Sequence, residues 1–185
     1  MENMALCVSS ILRADPQHWG LLDVVAALDL PDCWIGAGFV RNAVWDYLHQ
    51  RSDTPICGDV DVIWYDPGRA GAVYDRQLEA KLRSWEPCID WSVKNQARMH
   101  VRNGDTPYTS ATDAMRYWPE TATAIAARRK VNVCEIAAPL GLDDLFALVL
   151  RPTPRFRQDK RMIYEERLSS KSWCDAWPLL TPIKV

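Results

Sequence analysis

The sequence predicts an α+β fold in a single domain, and three observations predict it. Several segments place apolar residues at helical spacing, short β-branched or aromatic runs lie between them, and 48% of the 185 residues are hydrophobic while 25% are charged. A chain of this length and composition can bury a core, which excludes a disordered or collagen-like protein. We expect one domain over 1–185, with its core at about 19–150 and a basic helical tail at 151–185.

The first half of the chain reads as helix, strand, glycine turn, helix and strand. Leu21, Leu22 and Val25 recur at helical spacing, and Pro31 ends that segment. A short apolar strand then runs into a glycine turn, and a second helical stripe follows it. The last strand is β-branched and aromatic with a polar start. The predicted elements in order are helix 19–28, strand 33–35, helix 40–48 and strand 59–65.

The second half begins with a predicted helix and a second strand. Residues 94–100 either continue that strand or begin a loop, and Ser110 with Asp113 indicates a capping box. Alternation within 120–137 favours a hairpin that turns near 129–130, although its alanines alone would allow a helix. The predicted elements are helix 76–85, strand 89–93, helix 110–118, hairpin 120–137, helix 142–149 and polar helix 158–171.

Charge and cysteine spacing exclude several classes of protein. The net charge of −2 gives no overall basic field for nucleic acid, so any anion site must be local. The six cysteines lie more than 20 residues apart, which argues against a zinc site. No apolar run approaches the roughly 20 residues of a membrane span, and residues 1–4 lack an export signal. We therefore expect a cytoplasmic protein with no membrane partner.

Two acids at alternate positions of a predicted strand are the first candidate site. On a strand, Asp59 and Asp61 point to the same face, with their Cα atoms about 6.5 to 7 Å apart. Carboxylates this close repel each other unless a cation lies between them, and they suit Mg²⁺ held jointly with substrate phosphates. Such a site supports phosphoryl or nucleotidyl transfer. The alternative, a half-exposed strand that merely starts with two acids, is the commoner meaning of this pattern alone.

A glycine turn about 20 residues upstream favours the functional interpretation. Gly36 and Gly38 follow a strand and precede a helix, which lets backbone N–H groups approach a phosphate at the helix N-terminus. The dinucleotide fingerprint is excluded because Arg41 occupies the position of its third glycine. A Walker loop is excluded because no Gly-Lys-Ser/Thr occurs.

Taken together, these motifs resemble those of a known superfamily. The run from Gly36 to Asp61 is similar to the signature of polymerase-beta-type nucleotidyltransferases, Gly-Gly or Gly-Ser followed by Asp-hydrophobic-Asp. The portion Gly38-Phe39-Val40-Arg41-Asn42 looks like the tRNA nucleotidyltransferase version. Four segments further resemble a small bacterial family of nucleotidyltransferase-like proteins: 40–46, 92–100, 118–124 and 141–146.

The resemblance implies a mixed sheet with flanking helices and assigns roles to individual residues. The turn Gly36, Ala37 and Gly38 would hold the triphosphate of an NTP, and Asp59 and Asp61 would bind Mg²⁺. Here Ala37-Gly38 stands where the superfamily has Gly-Gly or Gly-Ser, so a serine hydroxyl is missing.

The superfamily usually adds a third carboxylate on an adjacent strand, which helps to activate the attacking hydroxyl. Asp90 is the candidate, as third metal ligand or base. Alternatively, Ser92 on the same face occupies the acidic position, and the chain then lacks part of the catalytic set.

Three cations complete the predicted nucleotide site. Arg41 contacts phosphate or pairs with Asp61, and Lys94 and Arg98 either neutralise a triphosphate or cover a sheet edge. The predicted function is Mg²⁺-dependent transfer of a nucleoside monophosphate from an NTP to a hydroxyl acceptor, which is a small molecule, RNA or protein. The alternatives are a catalytically inactive nucleotide- or RNA-binding module and a structural interaction protein that uses its nine tryptophans.

Overall fold

A five-stranded mixed sheet with flanking helices forms the centre of the protein, and the predicted α+β class is confirmed. The computed structural model describes residues 2–52 and 54–184. The strands are β1 (Trp34–Gly36), β2 (Val60–Trp64), β3 (Trp91–Asn95), β4 (Ala126–Lys130) and β5 (Val133–Ala137). They lie in the order β3-β2-β1-β4-β5. β2 and β3 are parallel, and the other neighbouring pairs are antiparallel.

Helices surround the sheet, and the C-terminal part of the chain adds a small second sheet. The helices are α1 (Glu2–Ala14), α2 (Pro16–Ala26), α3 (Gly38–Leu48), α4 (Ala72–Trp85), α5 (Gln96–Asn103), α6 (Ala111–Met115), α7 (Asp143–Phe146), α8 (Pro154–Arg157), α9 (Arg161–Lys171) and α10 (Trp173–Ala176). The parallel strands β6 (Val149–Leu150) and β7 (Thr181–Pro182) pair near the end of the chain. Among the described residues, no helix is both long and apolar enough to cross a bilayer.

Segments 96–103 and 142–149 differ from the sequence predictions. Residues 96–103 form a helix rather than a strand or loop, because the Asn95 side chain accepts a hydrogen bond from the Ala97 amide and caps a new helix. The predicted helix 142–149 ends at Phe146. Leu148 adopts a φ of 56°, and the chain then enters β6 before Pro152.

The core lies between one sheet face and helices that include both ends of the chain. Val60, Val62 and Val93 on the sheet are fully buried. Outside the predicted core of about 19–150, helix α1 contributes Val8 and Leu12, and the C-terminal tail also adds to the same core. The tail residues in it are Trp173, Trp177 and Leu180. The apolar area buried by the tail therefore stabilises the sheet and helix α3.

Acids, most of them outside the tail, neutralise much of its positive charge. Arg151 pairs with Asp144 at 2.9 Å and Arg161 with Glu165 at 2.8 Å. The remaining described pairs of the tail are Arg155 with Asp105, Lys160 with Asp105, and Arg167 with Glu120. These pairs explain how a segment with an excess of basic residues packs on the domain.

Candidate active site

The paired acids lie beside the glycine turn. Asp61 is the second residue of β2, and the strand register places it opposite Gly36 on β1 and opposite Ser92 on β3. Asp59 immediately precedes β2 and is exposed. Because pairing with β1 fixes the register, the carboxylate of Asp61 and the end of β1 share one region of the sheet. The structure therefore brings the two predicted motifs together.

The electrostatics of Asp61 reflect this crowding. Burial, followed by the neighbouring carboxylate of Asp59, raises the pKa of Asp61. A hydrogen bond with the Ser92 side chain and the positive charges of Arg41 and Lys94 oppose that rise. The ionised form of Asp61 is thus held at an energetic cost that a divalent cation beside Asp59 and Asp61 would remove.

Helix α3 begins at the turn with an unusual backbone conformation. Ala37 has φ 51° and ψ −120°, and its amide donates to the Ile125 carbonyl at 2.9 Å. The amides of Gly38 and Phe39 lie in the first helical turn, where a helix provides no intrahelical acceptor. These amides and the helix dipole make the start of α3 suited to an anion.

The two glycines of the turn have different roles. A Cβ on Gly36 would lie 2.9 Å from the Trp118 ring, so glycine is required there by close approach. A Cβ on Gly38 would make an ordinary contact of 3.6 Å with Nη2 of Arg41. The backbone at Gly38 therefore has room for the serine that the superfamily often places there, although this chain lacks its hydroxyl.

Ala37→Gly should stabilise the protein. A left-handed φ at alanine costs about 1–2 kcal/mol, and the entropy of glycine in the unfolded chain offsets part of the gain. We expect the free energy of unfolding to rise by about 1 kcal/mol, which raises Tm by roughly 2–4 °C in a chain of this size. Urea and thermal unfolding measure it. Ala43→Gly, inside the same helix, should lower stability by about 1 kcal/mol, and a similar loss for Ala37→Gly would contradict the assignment of strain.

Arg41 lies one turn into α3 and faces the acids. Its Nε is buried and has no hydrogen-bond partner among the described residues. Its guanidinium carbon lies 5.4 Å from the ring centre of Trp45 and 4.8 Å from that of Trp173. Burial lowers the pKa of Arg41 to about 10, against the favourable charges of Glu120, Asp61 and Asp59. Arg41 is therefore a cation at neutral pH beside the glycine turn.

Lys94 and Arg98 are both paired with acids of α4, which covers the open edge of β3. Nζ of Lys94 donates to Glu79 at 2.8 Å, and the charge of Lys94 acts on Asp61. Arg98 binds the buried carboxylate of Asp75. Asp75 also accepts hydrogen bonds from residues at the ends of β2 and β3, about 10 Å along the strand from Asp61. The structure thus relates Lys94, but not Arg98, to Asp61.

Among the described residues, no third acid joins Asp59 and Asp61 in a group that could hold a metal ion. Asp90 precedes β3, is exposed, and its carbonyl accepts a hydrogen bond from the Val60 amide at 2.8 Å. Ser92 is the residue opposite Asp61. Within residues 2–52 and 54–184, no three His, Cys, Asp or Glu side chains are grouped so that they could hold a metal ion. The acids at the glycine turn whose charges act on each other are Asp59 and Asp61.

A cavity that the sequence did not indicate opens beside the turn. It has a volume of about 240 Å³, and Gly38, Asn42 and Trp177 are among the residues that line it. Oδ1 of Asn42 is buried without a hydrogen-bond partner in the described part of the chain. A larger cavity of about 820 Å³, between α1, α2 and α3, shares several of its lining residues. The space next to the turn can therefore accept part of a small ligand.

Sequence reasoning also missed Glu120, Arg167 and Trp173, which surround Arg41. Glu120 lies in one of the segments that resemble the nucleotidyltransferase-like family. The residues around it in the sequence do not indicate that its side chain is buried. Trp173 follows a polar helix, and the number of tryptophans in the chain was its only indication.

Comparisons with known proteins agree with this geometry. The family model described as Nucleotidyltransferase matches residues 23–182. No curated protein matches the chain. A protein whose NMR structure is described as revealing a CCA-adding enzyme head domain is 35% identical, with a TM-score of 0.85 over 96% of this chain and 95% of that chain. The glycine turn, helix α3 and the acids at 59 and 61 lie within the matched residues, and the chain belongs to a nucleotidyltransferase family.

Proposed function

We propose that this protein transfers a nucleoside monophosphate from an NTP to a hydroxyl acceptor in a Mg²⁺-dependent reaction. The observation that carries the proposal is the pair Asp59 and Asp61 beside the turn at Gly36. Membership of a nucleotidyltransferase family supports the general reaction.

The residues present fit a magnesium ion. Mg²⁺ is usually bound through one or two carboxylates together with substrate phosphates and water, and Asp59 and Asp61 supply two carboxylates. Burial and the neighbouring carboxylate of Asp59 raise the pKa of Asp61, which favours a cation beside its ionised form. Asp59 and Asp61 would therefore hold the ion. When bound, Mg²⁺ supplies positive charge against the charge that develops on the α-phosphate and pyrophosphate.

The chain's own groups would bind and orient the triphosphate. The amides of Gly38 and Phe39 donate to phosphate oxygens at the start of α3, and Arg41 adds a buried positive charge. Lys94, fixed by Glu79, contributes through its charge. Arg98 would reach a phosphate only by leaving Asp75, so its proposed contact carries an additional cost.

The reaction requires an oxygen nucleophile and a proton acceptor. The acceptor hydroxyl attacks the α-phosphorus, a P–O bond forms, the bond to the bridging oxygen breaks, and pyrophosphate leaves. We propose that Asp90, exposed immediately before β3, takes the hydroxyl proton. The acceptor is a small molecule, an RNA or a protein.

Ser92 favours a second candidate function, a nucleotide- or RNA-binding module that has lost catalysis. It lies opposite Asp61 on the adjacent strand, where the superfamily usually has its third carboxylate. Such a module would bind NTP through the turn and Arg41 without turnover.

One set of measurements separates the two functions. The full chain is incubated with α-labelled NTPs and Mg²⁺ over pools of small-molecule, RNA and protein acceptors, and calorimetry measures the binding of each NTP. We expect label transfer that stops when EDTA removes the metal and returns with added Mg²⁺. Tight NTP binding with no label transfer in any of the acceptor pools would support the inactive binding module instead. If no NTP binds, both functions are refuted.

A further inference from the structure

The C-terminal tail places an aromatic ring directly on the cation of the proposed nucleotide site. Trp173 is 4% exposed and begins helix α10. Its ring packs edge-on against Trp45 with centroids 6.0 Å apart, and the Arg41 guanidinium carbon lies 4.8 Å from its centre. Trp45 is one turn further along α3 than Arg41. The guanidinium is therefore packed by one tryptophan from its own helix and one from the tail.

Trp173 is itself held by a buried ion pair. The guanidinium carbon of Arg167 lies 5.6 Å from the Trp173 ring centre. Nε and Nη2 of Arg167 donate to Oε1 and Oε2 of Glu120 at 2.9 and 3.3 Å. Glu120 is completely buried, and Oγ1 of Thr123 also donates to it at 2.9 Å. Two-point binding of Arg167 by a fixed carboxylate holds this side of the indole.

The contacts of Arg41 differ from those of Arg167. Arg167 has a bidentate acid partner, whereas the Nε of Arg41 has no hydrogen-bond partner in the part of the chain that the structure describes. An arginine side chain loses rotamer entropy when it is ordered. Stacking on indole faces can orient a guanidinium without using its N–H donors. The rings thus leave those donors available to a ligand.

We propose that Trp173 is a positioning residue of the nucleotide site: it holds the Arg41 guanidinium toward Asp61 and the glycine turn, so that the tail completes the site. The inference rests on the proposed function, in which Arg41 binds the triphosphate. Trp173 itself touches no substrate in this account. Its effect on nucleotide affinity passes through Arg41 and disappears when Arg41 is removed.

The experiment measures the Kd of a non-hydrolysable NTP with Mg²⁺ by calorimetry, with the full chain. Trp173→Leu keeps an apolar side chain and removes the aromatic face, and we expect its Kd to rise about tenfold. Trp173→Phe keeps an aromatic face and should stay within about threefold of the unmodified protein. If Trp173→Leu does not fold, Trp173→Met replaces it with the same expectation, because methionine adapts to irregular core space.

A double-mutant cycle distinguishes positioning from a general effect on stability. In an Arg41→Ala background, Trp173→Leu should change the Kd less than twofold. The control Tyr164→Phe removes a buried hydroxyl that lies 2.8 Å from the Leu150 carbonyl in the same tail. It should lower the unfolding midpoint while leaving the Kd unchanged.

The outcomes are separable. A Trp173→Leu Kd equal to that of the unmodified protein, or a full loss that persists without Arg41, overturns the positioning role. An increased Kd in Tyr164→Phe would also overturn it, because loosening of the tail alone would then explain the effect. If the unmodified protein binds no NTP, the proposed function fails as well.

Discussion

Asp61→Asn should abolish label transfer from an α-labelled NTP, by about 10³-fold or more, without destabilising the fold. The substitution removes one of the two carboxylates proposed to hold Mg²⁺. The pKa of Asp61 is raised in the folded protein, so the stability that its protonated form contributes at low pH is lost as pH rises through the folded pKa. A neutral amide at position 61 avoids that loss. At neutral pH we therefore expect Tm to be unchanged or higher, and we expect Asp59→Asn to abolish transfer as well.

The matched control for this prediction is Asp23→Asn. Asp23 lies on α2 and pairs with Arg129 at 3.4 Å. The Asp23→Asn substitution should leave label transfer unchanged. Asp90→Asn in the same assay measures the proposed proton acceptor and should reduce transfer at least about tenfold. Asp61→Asn protein that is folded and transfers label at the unmodified rate would refute the metal-binding role of this carboxylate.

Among the substitutions proposed here, Asp75→Ala should lower the free energy of unfolding most. Asp75 is 2% exposed and accepts hydrogen bonds from Nε1 of Trp64 at 2.9 Å and from the Asn95 amide at 3.0 Å, besides its ion pair with Arg98. Removing the carboxylate leaves the Trp64 and Asn95 N–H donors and the Arg98 charge without this partner. We expect the free energy of unfolding to fall by about 3–5 kcal/mol.

Urea unfolding of Asp75→Ala and Glu165→Ala tests this expectation. Glu165 forms an exposed ion pair with Arg161 within one helix, so its removal should cost about 0.5 kcal/mol or less. The difference between the two losses in the free energy of unfolding measures how much more a buried ion pair contributes to stability than an exposed one. Equal losses in the two variants would contradict the structural role assigned to Asp75.

The parts of the site that depend on local pattern could be predicted from the sequence. The apolar run before Gly36 and the helical stripe after it predicted strand, turn and helix, and this order was confirmed. The prediction that Asp59 and Asp61 share one face requires only the two-residue period of a strand. The register that places Asp61 opposite Gly36 is an observation of the structure, because apolar alternation alone does not specify how strands pair.

Long-range contacts account for most of what the sequence did not indicate. Arg41 and Trp173 are more than 100 residues apart, and no spacing rule connects a helix near the start of the chain to a turn near its end. The helix at 96–103 depends on a single cap at Asn95. Whether Ser92 or Asp90 is opposite Asp61 depends on a register shift of two residues, which apolar alternation alone leaves open.

The most direct measurement is a crystal structure of the protein with a non-hydrolysable NTP and Mn²⁺ in place of Mg²⁺. We expect anomalous density for Mn²⁺ in contact with the carboxylates of Asp59 and Asp61, and phosphate oxygens within hydrogen-bond distance of the Gly38 amide. Manganese bound away from both acids, or a triphosphate that does not contact the turn at 36–38, would contradict the account.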